Sequence, residues 1–92
     1  MKKLREQITN DIARLMSLFI SNGYEIYCVG GCVRDALLDM EPEDIDMTTD
    51  ATPKEMIDMF ERNDIHFARL GEKFGTLTAH LSRMDIEITT FR

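Results

Sequence analysis

EPEDIDMTTD, Glu41 to Asp50, places carboxylates at Glu41, Glu43, Asp44, Asp46 and Asp50. Asp44 and Asp46 alternate with Ile45 and Met47 ahead of Thr48-Thr49, so residues 44–49 read as a β-strand. Side chains alternate along a strand. Asp44 and Asp46 therefore share one face, roughly 6–7 Å apart, while Ile45 and Met47 point the other way into a core. Directly downstream, Thr52-Pro53-Lys54-Glu55 starts a helix. Thr52 caps it, Pro53 fits the first helical position, and Glu55 completes a capping box. The helix should run to about Arg62, with Met56, Ile57 and Phe60 facing the core.

Working outward, Leu4, Ile8, Ile12, Leu15 and Phe19 recur at helical spacing, so about Lys3 to Ser21 reads as an amphipathic helix ended by Asn22-Gly23. Tyr24 to Val29 is short, rich in β-formers and bounded by glycines, and reads as a buried strand. Gly30-Gly31 then leads into a short helix from about Cys32 to Asp39, broken at Pro42. Ile65 to Leu70 reads as a strand, Gly71 to Gly75 as a mobile loop and Thr76 to Leu81 as another strand. Ser82-Arg83 makes a turn, and Asp85 to Phe91 is a last strand, paired as a hairpin with its predecessor. No internal repeat or low-complexity segment is present. The order predicts an α+β domain over residues 1–92, a small mixed β-sheet with its helices packed on one side.

The chain of 92 residues is 43% hydrophobic and 30% charged, ordinary for one small globular domain. No apolar run is long enough to cross a membrane. The basic start MKKLREQITND has no apolar stretch behind it, so it does not read as a signal peptide. Cys28 and Cys32 do not make a disulfide framework, and a cytoplasmic location is the default expectation. No further Cys and no well-placed His completes a thiolate metal site around them. The seven methionines suit an irregular small core. A net charge of −6 argues against a broad phosphate-binding surface, since nucleic-acid affinity rests on Lys and Arg.

Acids on one strand face can simply be solvated and suppress edge pairing. The last strand adds a second set, because in Met84-Asp85-Ile86-Glu87-Ile88 the acids alternate with apolar residues. If the two strands are neighbours, carboxylates converge, and a divalent cation is the natural partner. Such a constellation suits metal-assisted displacement at phosphorus. Gly30-Gly31 supplies backbone N–H groups at an uncapped helix start, where an anion can approach closely, with Arg34 in the first turn. The bland reading is a tight turn with a surface Arg. His66 and His80 read as ordinary strand residues, and Lys73 as a solvated lysine that can reach a phosphate.

VGGCVRDALLDMEPEDIDMTTDATPKE (Val29–Glu55) and GTLTAHLSRMDIEITTFR (Gly75–Arg92) resemble the catalytic head of the CCA-adding tRNA nucleotidyltransferases and bacterial poly(A) polymerases, within the DNA polymerase beta nucleotidyltransferase superfamily. The shared pattern is Gly-Gly-x-Val-Arg-Asp, Asp-x-Asp, Thr-x-Ala-Thr-Pro, a Gly-Thr strand and Glu-x-Thr-Thr-Phe-Arg. The resemblance implies a nucleotidyltransferase fold. It also implies that Asp44, Asp46 and Glu87 are the catalytic carboxylates that bind two Mg²⁺ ions, with Mn²⁺ an alternative. Gly30 and Gly31 then cradle the triphosphate, Arg34 contacts phosphate and Asp35 holds the local structure. Asp85 shares the face of Glu87 but matches no catalytic position.

The implied reaction transfers CMP or AMP from CTP or ATP to an RNA 3′-hydroxyl, at a tRNA CCA end or in poly(A), with pyrophosphate leaving. The family's neck, which selects the base, and its RNA-gripping body and tail have no counterpart within these 92 residues. The head is therefore expected to be incomplete alone, to leave CCA and poly(A) synthesis undistinguished, and to form homo-oligomers through uncovered surface. The competing expectation is a non-catalytic module that binds metal or nucleotide weakly or self-associates.

Overall fold

The computed structural model describes residues 2–29, 45–82 and 84–91. The helix expected from Cys32 to Asp39 lies outside them. Helix α1 spans Lys2–Ser21. Its Ile12, Leu15 and Phe19 are buried along one stripe, as the three- and four-residue spacing requires. It ends in a Schellman turn: Tyr24 N donates to Phe19 O and Gly23 N to Ile20 O, both at 3.0 Å. Gly23 takes φ +87°, the left-handed geometry that closes such a cap.

Five strands follow or flank a second helix. These are β1 (Ile26–Val29), β2 (Ile45–Thr49), β3 (His66–Ala68), β4 (Thr76–His80) and β5 (Asp85–Thr90), with α2 (Pro53–Arg62) between β2 and β3. The sheet order is β1-β2-β5-β4-β3. β2 and β5 are parallel, and the other three pairings are antiparallel. The expected small mixed sheet is therefore present, and β4 and β5 form the expected hairpin.

One face of the sheet carries the core. Ile26, Ile45, Met47, Leu77, Ala79, Ile86 and Ile88 are buried there with Ile12, Leu15 and Phe19 of α1 and Met56, Met59 and Phe60 of α2. The Phe60 ring meets Phe19 edge-on at 5.9 Å and Phe67 at 5.7 Å. These contacts join both helices and the edge strand β3. Both helices lie on this one side, so the opposite face is left open among the described residues.

Three expectations change. Ile57 is only partly buried, packed against the core, while Met59 is fully buried with Met56 and Phe60. β1 is an edge strand rather than a buried one, with Tyr27 and Val29 each 52% exposed, because helices cover only one of its faces. Gly71–Gly75 is an ordered 3₁₀ turn centred on Glu72–Phe74, not a loop without structure. Thr76 N donates to Gly71 O at 3.0 Å, and Thr90 N reaches Gly75 O at 2.8 Å. Gly75 has φ +83°, which only glycine adopts without strain.

The capping box of α2 is formed. Glu55 N donates to Thr52 Oγ1 at 3.2 Å, and Thr52 N donates to Glu55 Oε1 at 2.9 Å. The Thr52 N–H holds the Glu55 carboxyl below its usual 4.5. A depressed carboxyl contributes stability above pH 4.5, lost as the pH falls through the lower folded value. Thr52→Ala is expected to cost about 0.5–2 kcal/mol at neutral pH. Urea unfolding checks this, and a midpoint equal to wild type would show that the cap is dispensable.

Candidate active site on the open sheet face

The registers place chemistry-bearing residues in rows across the uncovered face. Val29 pairs with Asp46, Asp46 with Glu87, and Glu87 with Thr78. Asp46 and Glu87 thus sit side by side on adjacent parallel strands, and both are exposed. Neighbouring strands lie about 4.8 Å apart, so both carboxylates can reach one cation. Like charges opposite one another repel, and a cation relieves the repulsion. The alternation holds them there: Ile45, Met47, Ile86 and Ile88 are locked into the core, which forces the intervening acids outward.

Asp44, the third expected carboxylate, lies outside the described residues. So do Gly30, Gly31, Arg34 and Asp35, the expected phosphate cradle. Among the described residues, no group of three or more His, Cys, Asp or Glu is placed to hold a metal ion. Asp46 and Glu87 thus form a pair with the oxygen chemistry Mg²⁺ accepts. Asp85 belongs elsewhere. Its Oδ1 lies 2.7 Å from His80 Nδ1, and His80 pairs across the hairpin with His66. Asp85 is engaged by a residue of the neighbouring strand β4.

A second row was missed from sequence. Tyr27, Thr48, Thr89 and Thr76 are successive cross-strand partners on the same open face. The Thr76 and Thr89 hydroxyls are 2.9 Å apart. The signal was present in the alternation of Thr76-Leu77-Thr78-Ala79, whose apolar members are buried. The Tyr27 hydroxyl donates to Glu25 Oε1. That hydrogen bond, reinforced by the carboxylate charge, pushes the phenol above its ordinary value. The face is therefore a hydroxyl-lined floor beside two carboxylates. No described helix is long and apolar enough to cross a membrane.

Residues 26–92 match the family described as the poly A polymerase head domain. The chain is 39% identical over 92 residues to the mitochondrial CCA tRNA nucleotidyltransferase 1 of Danio rerio, covering 99% of this chain and 21% of that protein. It is 41% identical over 78 residues to the CCA-adding enzyme of Oceanobacillus iheyensis, covering 85% and 18%. Among solved structures, a CCA-adding enzyme in complex with ATP superposes with a TM-score of 0.72 at 28% identity, over 95% of this chain and 21% of that one. The Bacillus stearothermophilus CCA-adding enzyme in complex with CTP gives 0.65 at 32% identity, over 85% and 19%. The chain thus spans about a fifth of the length of these relatives. With the match running from β1 to the last residue and the acidic pair seated on the open sheet face, the chain belongs to the poly A polymerase head domain family.

Proposed function

We propose that this chain is the head of a nucleotidyltransferase that moves CMP or AMP from CTP or ATP to the 3′-hydroxyl of an RNA. The observation that carries the reading is the pairing of Asp46 with Glu87 across parallel strands, on the face the helices leave open. Asp44, two residues before Asp46, completes the donor set in the sequence pattern. These carboxylates would hold Mg²⁺, which supplies positive charge to the oxygens that gain charge during displacement at phosphorus. Gly30, Gly31 and Arg34 would hold the triphosphate. The chain's own contribution is positioning: the two acids are set by core packing, so little rearrangement accompanies the reaction. The relatives named for CCA addition favour a tRNA 3′ end as acceptor.

The test is incorporation of labelled CTP or ATP into tRNA lacking its 3′ end, with Mg²⁺ and with excess chelator. Metal-dependent incorporation, or failing turnover, saturable metal-dependent CTP or ATP binding, supports the reading. A folded protein that shows neither overturns it in favour of a non-catalytic module.

A further inference from the structure

A cavity of about 590 Å³ opens where the ends of β2 and β5 meet the 3₁₀ turn, with Asp50, Glu72, Lys73, Phe74 and Phe91 in its wall. Phe74 is 81% exposed and Phe91 39% exposed. Neither ring hangs from a loose loop. Phe74 N donates to Gly71 O at 2.9 Å, and Phe91 N donates to Thr49 O at 2.8 Å. The Tyr27 ring lies 6.2 Å from that of Phe91, so the aromatic surface runs on from the open face into the cavity. Phe91 follows Glu87 in the same chain segment, which puts the ledge about 13 Å from the carboxylates.

Two water-exposed rings on hydrogen-bonded backbone, joined to a hydroxyl-lined floor, are the ingredients of a stacking platform for an unpaired base. The polar groups narrow the ligand. Lys73 and Arg69, the latter 4.0 Å from Glu72 Oε1, only balance the carboxylates of Asp50 and Glu72, which disfavours a ligand recognised by phosphate alone. Carboxylates accept from exocyclic amino groups, which cytosine carries at N4, adenine at N6 and guanine at N2, and which uracil lacks; cytosine and adenine are taken from among these because CTP and ATP are the donors in the proposed reaction. The Asp50 side chain is already oriented, since its Oδ1 accepts from Glu25 N at 2.8 Å.

We propose that the Phe74–Phe91 cavity binds an unpaired cytosine or adenine of the RNA strand, upstream of the 3′ end that lies at Asp46 and Glu87. This rests on the nucleotidyl-transfer reading for the identity of the strand. The ring stacks on Phe74 and Phe91, the amino group donates to Asp50 or Glu72, and Lys73 meets the adjoining phosphate.

The test is NMR titration of the Phe74 and Phe91 ring signals with short oligo(C), oligo(A) and oligo(U) at low salt, without metal or nucleotide. Both rings are expected to shift with oligo(C) and oligo(A), and oligo(U) should bind more weakly. Phe74→Ala should weaken oligo(C) binding about tenfold, the loss of one base–aromatic stack, and leave metal-dependent CTP binding unchanged. Phe74 is exposed, so the variant should fold, and its dispersion in the same spectra checks this. Silent rings, equal affinity for oligo(U), or unchanged oligo(C) affinity in Phe74→Ala each overturn the proposal. So does concentration-dependent self-association that buries Phe74, which would assign the ledge to a second copy. Oligo(C) binding by a protein that cannot bind metal-CTP would retain the base site and remove the catalytic reading; the reverse pattern would do the opposite.

Discussion

If the chain carries the proposed activity, Asp46→Asn should lower nucleotide incorporation at saturating Mg²⁺ by at least about 10²-fold, the scale seen when one preorganised charge-stabilising group is lost from an active site. Asn keeps the size of the side chain and one oxygen but removes the charge that attracts a divalent ion. Asp46 is exposed in a strand whose buried neighbours Ile45 and Met47 are untouched. The urea midpoint should therefore stay near wild type. Glu87→Gln should behave alike. If both acids serve one site, as proposed, the double variant should lose little beyond the worse single one. Rate assays on purified protein, with circular dichroism as the folding control, decide this. Two independent, multiplicative losses would mean that the carboxylates do not share a cation.

Phe60→Ala is the second large expected effect, on stability rather than chemistry. Phe60 is fully buried and its ring touches Phe19 of α1 and Phe67 of β3. Removing it leaves a cavity at the junction of three elements, at a cost of about 3–5 kcal/mol. Small domains hold about 5–15 kcal/mol in total, so the variant should sit near the edge of unfolding at room temperature. Phe74→Ala offers the internal contrast: the same atoms are removed from a ring that is 81% exposed, and the change should stay within about 0.5 kcal/mol. Equal urea midpoints for the two variants would contradict the placement of the core.

The sequence marked short-range features well because their causes are local. The Thr52–Glu55 box needs only residues three apart, and both of its hydrogen bonds are formed. Gly23 closes α1 for the same kind of reason. The alternation of acids with Ile and Met also told which face Asp46 and Glu87 would take, and the family pattern pointed to their roles. What it did not tell was set by partners distant in the chain. The turn at Gly71–Gly75 is ordered by a bond from Thr90 to Gly75, which no inspection of GEKFG reveals. β1 looked buried because Tyr24-Glu25-Ile26-Tyr27-Cys28-Val29 is rich in β-formers, yet Tyr27 and Val29 are exposed because the helices cover only the other face of the sheet. Met59 joins the core more fully than Ile57, which only packs against its edge. Register was beyond reach as well. A slip of one residue between β2 and β5 would break the Asp46–Glu87 pairing.

The most direct measurement of the central claim is paramagnetic broadening of backbone amide signals by substoichiometric Mn²⁺ in the presence of CTP, in wild type and in Asp46→Asn/Glu87→Gln. The account predicts selective loss of the amides around Asp46 on β2 and Glu87 on β5, sparing β3, reversal by excess Mg²⁺, and no such loss in the double variant. Broadening centred elsewhere, or identical in wild type and variant, would contradict a metal site built on these two strands.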